Sequence, residues 1–468
     1  MLNLYAPQAQ TLWDELLPIE VRELPEGLAA IDGLLGDPEL MAPIAERFQR
    51  ELAETERSVI CDGRPTIAMQ TYVRLMVLKQ RSRWGYETLV REVSDSIHLR
   101  RFCLIPLHER VPDESTIRKL TRRLGPETVA ELSRGVIAKA ARERRFRPRA
   151  VRIDSTVVEA DVRYPTDAGL AADGIEALAR EGRKLSRALS RSRSKAVARV
   201  RDRSRSAGRK IRELGRTLRS RSGERKAKVL ELTGEIGALL RSSTAEAKRL
   251  AAQARRSARG RGANTKLKAA ERLEELVRRS EKVSGQIRKR LAGEKIEDRL
   301  VSLSDPDARP IRKGKIAQPT QFGYVSQIAE VTSSTKPGAR GFVPPPATAA
   351  GNPHENELLP QTVTELTALG MAPAEVTLDG GFGHLRSDEQ LAAISPKRTF
   401  VAGRAVEGRS RRTERRLGRY RTGAEGRISH LKRGYGLDRS RLKGSEGHQI
   451  WTGWAALAYN LDTYTAMS

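Results

Sequence analysis

RAVRIDSTVVEAD, residues 149–161, decides how the rest of the chain is read. It is rich in β-branched residues and predicts a strand or strand pair carrying an acid, Asp154. A second stretch, AEVTLDGGFG (374–383), ends a short apolar run on Asp379. The two glycines that follow let an ion or a phosphate approach the backbone closely. A third, RTGAEGRISHLKRGYGL (421–437), has helical spacing and carries Glu425. Arg421, Glu425, Ile428 and Lys432 fall on one face of that helix. Two strand-end aspartates and one helical glutamate, in that order, can hold a pair of divalent cations. Such a pair can activate an oxygen nucleophile against a phosphodiester.

The charge of the whole chain agrees with such a substrate. Its 468 residues carry a net +29, so a polyphosphate is the expected partner. Aromatic residues make up 4%, too few for base stacking to dominate, which leaves phosphate contacts that weaken as salt rises. The length predicts two to four domains, and the 38% hydrophobic content suffices for a core. Cys61 and Cys103 form no CxxC pattern, so neither a disulfide scaffold nor a zinc site is expected and a reducing cytosol is. The first residues lack a basic start followed by an apolar core, and no apolar run reaches the roughly 18 residues of a membrane span. The expectation is a cytoplasmic, bacterial-type, nucleoid-associated protein with no membrane partner.

Outward from the first strand the chain changes character three times. Residues 1–147 read as an all-α N-terminal domain, with helical patterns at 66–80, 86–96, 114–125 and from Pro126 to about Arg145. Such bundles often present one helix to a major groove, and Arg118, Lys119, Arg122 and Arg123 on 114–125 are the candidate DNA contacts. A packing or dimerisation role without base contacts is the alternative. Residues 172–300 hold 38 Lys and Arg against 16 Asp and Glu, +22 of the total. Apolar residues recur there at helical spacing: Ile211, Leu214 and Leu218, then Leu232, Ile236 and Leu239, then Leu273, Leu276, Val283 and Ile287. That narrow stripe predicts a basic, coiled-coil-like helical hairpin, whose charge suits phosphates. Its Ser/Arg-rich part, 190–206, also reads as disorder. From 301 onward strands and helices alternate again. Strands are predicted near 322–334, 375–381 and 398–405, and helices over 358–369, 385–394, 412–433 and 448–464. Trp451 and Trp454 in the last helix read as core.

With 172–300 set aside, 96 residues separate Asp154 from Asp379, and Glu425 follows 46 later. Strands, helix, strand ending in Asp, helix, strand and helix bearing Glu resemble the α/β RNase H-like catalytic domain of DDE transposases. That fold is a mixed sheet with helices, here split as 148–171 and 301–468. VPDESTIRKLTRRLG (111–125) resembles the end of the N-terminal module of the insertion-sequence class. DSTVVEADVRYPTDAGL (154–170) resembles its first-Asp region, closest to the ISNCY group.

The resemblance implies that Asp154, Asp379 and Glu425 bind two Mg²⁺, with Mn²⁺ as a substitute, and catalyse strand cleavage and transfer. The partners implied are double-stranded element ends and target DNA, met by a homodimer or larger assembly. Arg421-x3-Glu425-x6-Lys432 is similar to a signature of insertion-sequence transposases, which implies that Arg421 and Lys432 position phosphate. That signature has a Tyr three residues before the Arg. Gly418 stands there, with Tyr420 the nearest Tyr. His354 and His384 read as loop histidines, the former close to the site by resemblance, and Glu355 and Glu357 as surface charges. The alternatives are a metal-dependent nuclease of the same fold and a non-enzymatic nucleic-acid-binding protein.

Overall fold

Asp154 lies midway along an 11-residue strand, and the strands on either side of it set the architecture. The structure, a computed structural model, describes residues 16–54, 67–190, 198–219, 223–260, 262–312, 320–404 and 408–467. In chain order the elements begin with α1 (Ile19–Arg22), α2 (Glu26–Leu35), α3 (Pro38–Glu54), α4 (Met69–Arg81), α5 (Tyr86–Asp95), α6 (Ile97–Phe102) and α7 (Glu114–Glu143). Next come β1 (Ala150–Ala160), α8 (Asp167–Ser190), α9 (Ser204–Arg219), α10 (Arg225–Ser257), α11 (Ala263–Leu291) and β2 (Arg309–Ile311). The remainder is β3 (Gln321–Thr332), β4 (Ala347–Ala350), α12 (Glu355–Ala368), β5 (Glu375–Leu378), α13 (His384–Leu391), β6 (Arg398–Val401), α14 (Arg411–Tyr435), β7 (Arg439–Ser440) and α15 (Gly444–Thr465). Two compact units result, Met1–Asp161 with Gly323–Ser468, and Val162–Phe322.

The first unit is organised by a mixed sheet in which β3, β1, β5 and β6 lie side by side. β1 runs antiparallel to β3 from Ala150↔Thr332 to Glu159↔Gly323. On its other edge it runs parallel to β5, from Ala150↔Glu375 to Ile153↔Leu378, and β6 runs parallel to β5. β4 pairs with β3, and β7 with the far end of β1. Val151, Ile153 and Val157 on one face and Arg152 and Val158 on the other are all buried, so β1 is covered on both faces.

The helices before residue 148 share this unit's core and form no compact unit of their own. Tyr72, Leu75 and Leu78 of α4 and Val129, Leu132 and Val136 of α7 belong to one cluster with Trp454, Leu457 and Leu461 of α15 and with Val151 and Val376 of the sheet. The expected boundary at 147 therefore does not separate two cores. The cause is α15, which is buried on every side from Ile450 to Leu461, so it needs α4 and α7 against it. Trp451 and Trp454 are core residues there, as their spacing predicted. The expected break between two helices at 125–126 is present, since Gly125 takes φ +68 inside α7. Cys103 is buried with a free thiol, and Cys61 lies outside the described residues.

His448 of α15 is fully buried, stacked 4.5 Å from the Tyr324 ring, with its Nε2 2.9 Å from Ser326 Oγ. Burial pulls its pKa from 6.5 down to about 3. The unfolded chain takes up this proton below pH 6.5 and the folded chain does not, so the stability this neutral ring contributes is lost as pH falls from 6.5 towards 3. One proton corresponds to about 1.4 kcal/mol per pH unit in that window. His448→Gln should flatten the acid limb of a urea-stability profile by about that slope. An unchanged limb would mean that this imidazole is protonated in the folded state.

The second unit is built from α8, α9, α10 and α11. Ile175, Leu178 and Leu185 of α8 pack with Leu214 of α9, Leu232, Ile236 and Leu250 of α10 and Leu273, Val283 and Ile287 of α11. The expected two-helix hairpin is thus a four-helix bundle with an interior. The predicted stripes are the α9, α10 and α11 contributions, with Leu218 of α9 left exposed, and α8 supplies a wall that the stripes did not register. At the base of the bundle Asp167 is almost wholly buried and is held by Arg290, by Arg299 Nη2 at 3.2 Å and by Gln286 Nε2 at 3.4 Å. This latch ties the start of α8 to the end of α11. Residues 191–197 of the Ser/Arg-rich stretch lie outside the described residues. No described helix is long and apolar enough to cross a membrane.

Candidate active site

β1 continues past Leu378, where β5 ends, so Asp154 and Asp379 are the next residues of two adjacent parallel strands. The carboxyl ends of parallel strands, where neighbouring connections diverge, are where α/β sheets hold ligands. Asp154 accepts a hydrogen bond from its neighbour, Ser155 N–H to Oδ1, at 2.7 Å. Its carboxyl pKa is nonetheless pushed up to about 6, first by burial, then by the nearby carboxylates of Asp379 and Glu355.

The third candidate acid comes from α14. This helix starts at Ser410, whose side chain accepts from Thr413 N, and stops at Gly436 with φ +68. Leu417, Tyr420, Ala424, Leu431 and Tyr435 are its buried face. Arg421, one residue round from that face, is 16% exposed. Its Nη1 donates to Asp379 Oδ1 at 2.8 Å and its Nη2 to Glu425 Oε1 at 3.2 Å. One guanidinium thus bridges two of the three candidate acids.

Glu425 is 65% exposed, and among the described residues no three acid, histidine or cysteine side chains close around one point. The donor set still fits divalent cations, because it consists of hard carboxylate oxygens. Two observations point the same way. Asp154, raised first by burial, also feels the carboxylates of Asp379 and Glu355, a repulsion that a cation relieves, and Arg421 already supplies a positive charge between Asp379 and Glu425.

The resemblance placed the stretch around His354 near the site and left Glu355 with the alternative of a surface charge; in the structure Glu355 lies beside Asp154 and Gly381. It is the first residue of α12, where a carboxylate is favoured by the helix dipole. His354 caps this helix: its Nδ1 accepts from Asn356 N at 3.3 Å, and its own N–H donates to Glu357 Oε1 at 3.2 Å. Asn356 fastens the helix start to the turn after Asp379. Its Oδ1 accepts from Gly383 N at 2.7 Å, and its Nδ2 donates to Ser387 Oγ at 2.9 Å. This brings Glu355 onto Gly381, where an added Cβ would lie 2.9 Å from Oε2. The second glycine of the DGG motif therefore makes room for a carboxylate of the same chain. The signal that could have revealed Glu355 is its place as an acidic first-turn residue after a capping His-x-x-Glu.

Other expected positions fall as follows. Lys432 donates from Nζ to Val157 O at 2.8 Å, tying α14 to β1. Tyr420 points inward, with its hydroxyl 2.6 Å from Thr332 Oγ1. Arg118, Lys119, Arg122 and Arg123 are all exposed, on the side of α7 away from buried Ile117, Leu120, Thr121 and Leu124. Arg118 pairs with Glu114 and lies 5.3 Å from the Tyr86 ring centroid, and Arg122 donates to Lys443 O. The side chain of His384 lies outside the described residues.

Behind the acids, β1 and α14 are joined by a buried ionic network. Glu330 of β3 is 1% exposed and receives Arg152 Nε at 2.8 Å, with Arg427 Nε at 2.9 Å from its other oxygen. Gly341 N also donates to Glu330, at 3.0 Å. Arg152 reaches across to Tyr420 O on α14, and a Cβ on Gly423 would fall 1.8 Å from its Nη1. Gly423 is thus the gap through which the Arg152 guanidinium meets the helix that carries Glu425.

Sequence comparisons agree with this arrangement. A transposase domain (DUF772) matches residues 30–123, and a transposase DDE domain matches residues 346–461. The DDE domain implies an RNase H-like fold and a nucleotidyl-transferase type of enzyme, with which the mixed sheet is consistent. Together the two matches support an insertion-sequence DDE transposase. Among curated proteins the chain is similar to an uncharacterised protein, ORF8 in the nfe locus of Rhizobium meliloti, 28% identical over 127 residues. That stretch is 26% of this chain and 61% of the relative's length. No solved structure matches.

Proposed function

We propose that this protein is a DDE transposase of ISNCY-like type that binds the ends of its element and catalyses metal-dependent strand cleavage and strand transfer. The observation that carries the reading is the Arg421 bridge. It links the acid after β5 to the acid on α14, while the acid of β1 feels the charge of the first. A non-enzymatic binding protein has no reason to gather carboxylates beside phosphate-seeking arginines. In this reading Asp154, Asp379 and Glu425 hold the cations, Mg²⁺ or Mn²⁺, and Glu355 adds a fourth carboxylate. Bound there, two such ions would activate the oxygen nucleophile and neutralise charge at the phosphodiester.

The chain's own residues do the rest. Arg421 holds Asp379 and Glu425 in place and offers its guanidinium to a phosphate oxygen. Lys432 fixes α14 against β1, so that Asp154 and Glu425 keep their separation. Arg118, Lys119, Arg122 and Arg123 are exposed on α7 and would meet a DNA backbone in a homodimeric or larger complex. The test is nicking of supercoiled DNA by the purified full chain with Mg²⁺ and with EDTA. Metal-dependent nicking is expected, and DNA binding without nicking under either condition would favour a binding protein.

Glu355 supplies a separate check. A side chain supporting metal ligands typically changes metal affinity 10- to 100-fold when removed. Glu355→Gln should therefore weaken Mn²⁺ binding, read by calorimetry without DNA, by about that factor. Unchanged affinity would return Glu355 to a purely structural role at the start of α12.

A further inference from the structure

The surface of the second unit is not uniformly basic. Much of the bundle's positive charge is matched by neighbouring acids: Arg203 with Glu246, Lys210 with Glu235, Arg255 with Glu274 and Arg279 with Glu275. Helix α9 departs from this pattern. Arg205, Arg209, Arg212, Arg216 and Arg219 recur at steps of four, three, four and three residues, and all five are exposed. At ~100° per residue they fall within a sector of roughly 80°. Buried Ala207 and Leu214, with Ile211 packed against the core, lie on the opposite side. None of the five arginines has an ion-pair partner among the described residues. The single acid of the helix, Glu213, lies beside Lys228 of α10.

We propose that this arginine ridge of α9 is a binding surface for the sugar-phosphate backbone of duplex DNA. Five like charges on one face of a helix repel one another, at a cost that a row of phosphates reverses. From Arg205 to Arg219 the ridge rises by 14 steps, about 21 Å at 1.5 Å per residue. Along a duplex that length covers roughly six phosphates of one strand. Guanidinium groups suit phosphate oxygens because each can donate two parallel hydrogen bonds. A backbone contact of this kind reads no sequence; it adds affinity and orientation while specificity resides elsewhere. The inference rests on the transposase reading for its choice of DNA.

The test is binding of the full chain to a mixed-sequence DNA duplex across a salt series. Three proteins are compared: wild type, a variant with all five ridge arginines changed to Gln, and a variant with Lys226, Lys268, Arg272, Arg288 and Lys289 changed to Gln. The second variant removes the same charge from α10 and α11 and leaves α9 intact. Each lost phosphate contact flattens the log–log salt slope by about 0.9, so the ridge variant should flatten it by roughly 4 units and the control by much less. Gln has nearly the helix propensity of Arg, and the helical circular dichroism of each variant confirms that the bundle is folded. Equal flattening in both variants overturns the ridge in favour of diffuse charge. So does an unchanged slope in the ridge variant when wild type binds. Tighter wild-type binding to duplex RNA than to DNA overturns DNA as the partner. If wild type binds no DNA at all, the transposase reading falls and the ridge proposal falls with it.

Discussion

Asp379→Asn is expected to abolish metal-dependent cleavage while leaving DNA affinity at or slightly above the wild-type value. Asn retains an oxygen that can accept from Arg421 Nη1, so the local fold should persist. What it loses is the negative charge that a divalent cation requires. Metal stabilisation of a phosphoryl transition state is worth several kcal/mol. At 1.36 kcal/mol per factor of ten, that is a loss of about a thousandfold or more in rate. Affinity holds or rises because the substitution removes a carboxylate from the approach path of a polyanion. Single-turnover cleavage of a labelled duplex gives the rate, and a gel-shift titration of the same preparation gives the affinity. Cleavage within a few-fold of wild type would take Asp379 out of the catalytic set.

Glu330→Ala should produce the largest loss of stability. Its carboxylate is the shared counter-charge for Arg152 and Arg427, and Arg152 is itself only 6% exposed. Removing the acid leaves two buried guanidinium groups without their counter-charge. Breaking a buried pair in this way costs about 3–5 kcal/mol. The cation–π contacts of Arg152 with Tyr420 and Arg427 with Tyr459, at 5.0 and 4.7 Å, offset only part of it. Because α14 is held to β1 through Arg152, activity should fall together with the urea midpoint. Glu330→Gln keeps the shape and the acceptor but not the charge, and should sit between wild type and Ala. A Glu330→Ala protein as stable as wild type would show that the two arginines reach water.

The strands and most helices of the first unit could be read from the chain because their signals are local. The β-branched run around Asp154, the apolar stop at Asp379 and the 3.6-residue pattern of α14 each need only a short window. The three candidate acids were nominated from the same local signals, strand ends and a helix face. The detail of the site was not legible, because it depends on contacts between residues far apart in sequence. Glu355 lies 26 residues before Gly381, and nothing local says that Asn356 pins it onto that turn. Arg421 looked like a phosphate contact, and its bridging role appears only once Asp379 and Glu425 are placed on either side. The bundle was read as a hairpin for a related reason. The narrow stripes suggested one seam, whereas packing Ile175 and Leu178 of α8 between α10 and α11 makes an interior.

The central claim is that Asp154, Asp379 and Glu425 form one metal-binding centre, and a crystal structure with duplex DNA and Mn²⁺ tests it most directly through the anomalous signal of the ion. The account predicts a peak between Asp154 and Asp379, within roughly 2.0–2.6 Å of a carboxylate oxygen of each. Glu425 should be turned towards that centre, and Arg421 should be released from Asp379 to a phosphate. A structure with DNA bound, no Mn²⁺ peak at these two carboxylates and Arg421 still bridging Asp379 to Glu425 would contradict it.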